Sequence, residues 1–157
     1  MNNIIKLILS IIICEGAGIF GSIFTTKSVG GWYSTINKPS FNPPGWIFGP
    51  VWILLYLLMG ISVFIIWSKF NDHNLFKSAI VIFSIQLLLN VFWSFLFFGQ
   101  KSPLLAFIEI IFLWIAILIT IIVFYKLNHL SSYLLIPYIL WVSFAAFLNY
   151  SIWRLNL

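Results

Sequence analysis

Three acidic residues, two histidines and one cysteine are all that this 157-residue chain contains of the side chains most often used in catalysis and metal binding. Cys14 stands alone, so an internal disulfide is excluded. With carboxylates only at Glu15, Asp72 and Glu109, the chain offers neither a paired-carboxylate site nor a nucleophile with its base. No glycine-rich phosphate loop is present. His73 and His129, with only Asp72 nearby, are too sparse for a zinc or haem-iron site; we expect no metal centre and solvated histidines. Charged residues make up 7% of the chain, against about 25% in soluble domains. The formal net charge of +5 marks loops and membrane faces in so apolar a chain, not a nucleic-acid surface.

What fills the space is apolar: 62% hydrophobic residues and 20% aromatic ones, including 17 Phe and 8 Trp. A membrane-crossing helix needs about 20 apolar residues, and five runs qualify, at 3–24, 45–68, 78–98, 103–125 and 133–153. They are too long and too continuously apolar for barrel strands. We therefore expect one all-α integral membrane domain over residues 1–157, a five-transmembrane-helix bundle with a long, rigid loop between helices one and two and no soluble domain. Lys6 ahead of an apolar run, followed by Gly16, Ala17, Gly18, Gly21 and Ser22, has the look of a signal peptide. The run's length, and the need of Glu15 for a partner, favour a helix kept in the bundle.

Five spans put Lys6, Lys69, Lys77 and Lys126 on one membrane face and Lys27, Lys38, Lys101 and Arg154 on the other, so the positive-inside bias does not orient the chain. The first connection, about 25–44, is the longest and ends in KPSFNPPGW. Pro39, Pro43 and Pro44 fix φ and hold their predecessors extended, which predicts a stiff segment, with Pro44 in the first turn of span two and Asn42 or Pro43 near the cap. A stiff aromatic rim lowers the entropic cost of binding. The alternative is an interfacial anchor, since Trp and Tyr collect at headgroup depth. Ser102 and Pro103 predict the cap and first residue of span four.

Helical spacing places Gln86, Asn90, Trp93 and Phe97 on one face of span three. Tyr138, Trp141, Ala145 and Asn149 share a face of span five, where Pro137 predicts a kink, and Trp52, Tyr56, Met59 and Val63 form a stripe on span two around Pro50. The amides alone could be interhelical glue. Together with Trp52, Trp93 and Trp141 well inside their spans, they predict an aromatic-walled pocket with a few polar groups, the usual character of a small-molecule site. Glu15 and Glu109, isolated in different spans, are too few for a proton relay. Small residues in span one (Cys14, Ala17, Gly18, Gly21, Ser22) permit close helix approach, within the bundle or in a dimer. Leu148, Tyr150 and Arg154 match the loose sterol-contact pattern, which an interfacial anchor also satisfies.

Three blocks, WYSTINKPSFNPPGWIFGPVWILLYLLMG (32–60), QLLLNVFWSFLFFG (86–99) and PYILWVSFAAFLNYSIWRLN (137–156), resemble the translocator protein family, which includes bacterial tryptophan-rich sensory proteins and the mitochondrial peripheral benzodiazepine receptor. The resemblance runs in order over nearly the whole chain. It implies a five-helix bundle, commonly a homodimer, with a cavity under the first loop that binds tetrapyrroles (protoporphyrin IX and haem), sterols and isoquinoline carboxamides, with no required cofactor. Trp52 and Trp141 match the family's cavity pair, which in bacterial relatives is associated with light-dependent porphyrin breakdown. Trp32, Pro43, Pro44, Trp46, Tyr56, Asn90, Trp93, Ala145 and Leu148 also fall at ligand-site or lid positions, and Tyr138 joins them on the face of Trp141. Ser34 stands where several bacterial members carry an acid, and Phe41 where many carry Trp. The resemblance implies a bacterial cytoplasmic membrane with the amino terminus outside and the carboxyl terminus in the cytoplasm. A membrane receptor or sensor for tetrapyrroles is the reading this supports; a light-dependent protoporphyrin-degrading enzyme is the alternative. A porphyrin or lipid transporter ranks last, because no inverted repeat relates the five spans.

Overall fold

A computed structural model of the protein describes residues 2–70 and 74–157. Its elements are α1 (Asn3–Val29), α2 (Trp32–Thr35), α3 (Gly45–Lys69), α4 (Phe76–Ser94) running into a π turn (Phe95–Gly99), α5 (Pro103–Leu127), α6 (His129–Tyr133) and α7 (Ile136–Leu155). Among the described residues, five stretches are long and apolar enough to cross a bilayer: α1, α3, α4 with its π turn, α5, and α6 with α7. The protein is thus an all-helical integral membrane bundle, because in lipid a helix satisfies every backbone group within its own segment. Asp72 and His73 lie outside the described residues.

Local chemistry sets the ends. Asn2 caps α1 by accepting from the Ile4 N–H at 3.1 Å, Asn128 caps α6 through the Ser131 N–H at 3.0 Å, and Ser102 accepts from the Leu105 N–H ahead of Pro103, as its sequence predicts. Two boundaries differ from expectation. Residues 25–29, polar enough to read as loop, continue α1 to Val29, and α3 begins at Gly45 with Pro44 as its cap, so Pro44 precedes the first turn. In the last span the break falls at Leu134 and Leu135, while Pro137 sits in the first turn of α7, where its missing N–H costs nothing.

The helices form an incomplete ring. Close packing joins α3 to α1, α1 to α4, α4 to α5 and α5 to α7, while α3 and α7 share little backbone contact. At one end α6 bridges to α3: the Ser62 hydroxyl donates to the Ser131 carbonyl at 2.7 Å, and the Ser131 hydroxyl to the Ser62 carbonyl at 2.6 Å. At the other end, under the connection at 30–44, the backbones of α3 and α7 stand apart and only side chains bridge them. Of the small residues of α1, Gly18 and Gly21 face neighbours within the bundle, while Ser22 is exposed. Gly60 on α3 lies so close that a Cβ there would stand 2.9 Å from the Ile11 Cα, and Gly18 lets the Tyr56 ring cross α1, since a Cβ would meet it at 2.4 Å.

Candidate functional site

Large rings span the opening between α3 and α7. Trp52 lies 5.6 Å from Tyr56 and 6.4 Å from Tyr138, centroid to centroid, and Phe48 meets Trp141 edge-on at 5.9 Å. Trp141 also touches Phe144 at 5.5 Å. One turn before Trp52 and just under one turn after Trp141, Phe48 and Phe144 are wall residues that helical spacing alone would have added.

The floor is polar. The Tyr56 hydroxyl donates to Asn90 Oδ1, and Asn90 Nδ2 donates to the Tyr138 hydroxyl at 2.9 Å, so one α4 amide ties α3 to α7. Asn149 accepts from the Trp93 indole at 3.0 Å and donates to the Pro103 carbonyl at 2.8 Å. For Asn90 and Asn149 the glue reading therefore holds, and the N–H of Trp93 is committed. Gln86 and Glu109 are buried with no hydrogen-bond partner, and so is Trp141 Nε1. A buried donor without an acceptor costs about 1–3 kcal/mol. Of the indoles on the site faces, Trp141 is the one whose N–H is buried and free.

The roof is strapped down at three points. Trp32 and Tyr33 pack on Phe97 and Phe98, which the π turn presents beneath them, with centroids 5.6–6.1 Å apart. Asn37 and Asn156 exchange backbone and side-chain bonds, from the Asn37 N–H to Asn156 Oδ1 and from Asn156 Nδ2 to the Asn37 carbonyl, each at 2.9 Å. Phe41 stacks on Phe147 at 5.1 Å. Within the strap, the Tyr33 hydroxyl donates to Asn42 Oδ1 at 3.0 Å, Asn42 donates to the Pro43 carbonyl at 3.1 Å, and Lys38 Nζ lies 4.8 Å from the centre of the Tyr33 ring. Burial pushes the Tyr33 phenol above its ordinary pKa.

Of the residues singled out in sequence, Trp52, Tyr56, Asn90, Tyr138 and Trp141 converge on the opening, with Ala145 half-buried on the Trp141 face. Leu148 is buried a step away, in a cluster with Phe97, Ala106 and Ile152 that Trp32 and Trp93 also flank. Pro43 and Pro44 belong to the strap. Trp46 does not join: it is 75% exposed on the bundle exterior. The sterol pattern is split, since Leu148 points inward while Tyr150 and Arg154 lie outside, Tyr150 against Phe107 and Trp153. His129 lies exposed on the Tyr125 ring, 4.2 Å between centroids.

The model of the TspO/MBR family matches residues 10–154. The tryptophan-rich protein TspO of Chlorobaculum tepidum is 43% identical over 98% of this chain and 98% of its own length. Its namesake from Archaeoglobus fulgidus is 45% identical over 98% and 99%. The translocator protein of Homo sapiens is 34% identical over 80% of this chain and 75% of its own. With the family match running over nearly the whole length, and with relatives of this identity and coverage, the chain belongs to the TspO/MBR family.

Proposed function

We propose that the protein is a membrane receptor for planar tetrapyrroles, protoporphyrin IX or haem, held between α3 and α7 under the strap. The observation that carries this reading is the buried, unpartnered indole N–H of Trp141 in an aromatic-walled opening. A flat π system gains about 0.5–1.5 kcal/mol per offset-stacked ring beyond its area burial. The free N–H supplies a donor for a ligand acceptor, and Lys38 on the strap and Arg154 at the carboxyl-terminal end of α7 supply cations on the face where propionates would emerge. Host membrane and orientation follow the family resemblance: a bacterial cytoplasmic membrane with the amino terminus outside. The test is tryptophan-fluorescence quenching by protoporphyrin IX in the dark, with wild type, Trp52→Phe and Trp141→Phe. Saturable quenching weakened by the substitutions is expected; unchanged affinity in both variants would refute the reading.

A second reading, light-driven oxidation of bound protoporphyrin IX, draws on the contacts of Trp52 with Tyr56 and Tyr138, which set two oxidisable phenol rings against the indole. The bound porphyrin would absorb the photon and lose electrons to dioxygen, which is reduced as the macrocycle is oxidised, while the Trp52 and Trp141 indoles would relay electrons with no net change of their own. Loss of porphyrin absorbance under light at equal rates in wild type and the Trp52→Phe, Trp141→Phe double variant would rule it out.

A further inference from the structure

Glu15 stands midway along the 27 residues of α1, at the depth of the bilayer centre, and the bundle gives it no partner. Among the described residues no hydrogen bond or ion pair reaches its carboxyl group. Tyr56, whose ring crosses α1 at Gly18, spends its hydroxyl on Asn90. Nor does the chain bring a cation to this depth: all eight lysines and arginines lie in loops or within the first or last four residues of a helix. Glu109, the other acid within a span, is sealed in the core, whereas Glu15 is partly exposed on the outer side of its helix.

Around it runs a seam. Ile8, Ile12, Glu15, Ile19 and Ser22 follow at intervals of four, three, four and three, the period at which one helix packs along another. Ile8, Ile12 and Ile19 are 50%, 59% and 67% exposed and Ser22 is exposed too, so no helix of this bundle covers the seam. It is turned away from Gly21 and Phe24, which meet Ser94 and Phe95 on the α4 side. An ionisable side chain inside a membrane is costly and pairs with another group, and one polar residue in an apolar seam sets a partner helix's register. A second copy does not answer the charge, because it too brings no cation to the bilayer centre. We infer that this seam of α1 docks a transmembrane helix of another protein, one that carries a lysine or arginine at its midpoint to pair with Glu15. The contact leaves the α3–α7 opening free and is independent of the tetrapyrrole reading.

The test is energy transfer in phosphatidylcholine vesicles between the full chain, labelled at its amino terminus, and a synthetic leucine–alanine helix of about 21 residues with one central Lys, or with Leu in its place. The Lys helix is expected to associate with wild type about tenfold more tightly than the Leu helix. Glu15→Leu should bring the two helices level. Ile12→Trp, in the seam, should weaken association of the Lys helix, whereas Leu140→Trp, similarly exposed on α7, should leave it unchanged. All three variants should melt as wild type, since these positions lie outside the core. Equal association of both helices with wild type, a Lys preference that survives Glu15→Leu, or an equal loss in Ile12→Trp and Leu140→Trp would each overturn the assignment. Transfer between copies of the chain that Glu15→Leu abolishes would overturn it as well, by giving the seam to a second copy.

Discussion

The α1–α3 seam and the α3–α7 opening use the same helix in opposite ways. Against α1, helix α3 presents Gly60 and the flat Tyr56 ring over Gly18, so the backbones nearly touch. Towards α7 it presents Phe48, Trp52 and the Tyr56 hydroxyl, and backbone contact gives way to ring contact. In lipid there is no hydrophobic drive between helices, so close approach of small residues is what holds the first seam. Wide side chains bridging the second leave a surface that a flat ligand can enter by displacing ring contacts, without separating backbones. On the proposed function, one face of α3 carries stability and the other recognition.

Substitutions at the two faces should separate these roles. The largest effect is expected from Gly60→Val: overpacking against the α1 backbone costs about 3 kcal/mol and should appear as a lower melting temperature in detergent, with porphyrin affinity per folded molecule retained. If the variant melts as wild type, the seam is not the stabilising contact. Trp141→Phe should do the reverse. Removing the indole and its free donor is expected to weaken protoporphyrin IX binding about tenfold by fluorescence titration, from the roughly 1 kcal/mol of a hydrogen bond plus the difference between the rings, and to leave melting nearly unchanged, since relief of the unpaired buried N–H offsets the contact with Phe48 and Phe144 that the smaller ring gives up.

Asn37→Ala sharpens the comparison at the roof. It removes the side-chain bond to the Leu155 carbonyl but leaves the backbone bonds to Asn156. Stopped-flow mixing should show porphyrin entry and exit both about three- to fivefold faster with affinity little changed, as expected when about 1 kcal/mol of closed-state bonding goes. Unchanged rates, or a faster exit with unchanged entry that weakens the affinity, would contradict the strap's role. The smallest effect is alkaline. Burial raises the Tyr33 pKa above its ordinary value of 10, so the folded strap holds the phenol's proton more tightly than the released strap does. The stability this gives is complete below about pH 10 and is lost as pH rises through the folded value. Proteolysis of the 30–44 connection should therefore accelerate above about pH 10 in wild type and show no such step in Tyr33→Phe.

Much of this was legible in the residues because it depends on one helix at a time. The faces Gln86–Asn90–Trp93–Phe97 and Tyr138–Trp141–Ala145–Asn149 follow from 3.6-residue periodicity, and both turn inward, with Gln86, Asn90, Phe97, Tyr138 and Asn149 fully buried. What depends on partners was not legible. Thr25 to Val29 reads as loop, yet remains helical where Ser28 is buried. Spacing does not reveal that Asn149 occupies the Trp93 indole while the Trp141 indole stays free, because that is settled by which side chain arrives from across the bundle. Nor does it reveal the Asn37–Asn156 clasp, between residues 119 positions apart. The sterol pattern joined Leu148, Tyr150 and Arg154 by order in the chain, but two positions along a helix turn a side chain through about 200°, and Leu148 faces away from the other two.

The most direct test of the account is a dark titration of wild type and Trp141→Phe with protoporphyrin IX, followed by the porphyrin's absorbance and paired with melting curves of the same samples. The account predicts about tenfold weaker binding with melting temperatures nearly equal. Equal affinities, or a loss of affinity that merely tracks a loss of stability, would contradict it.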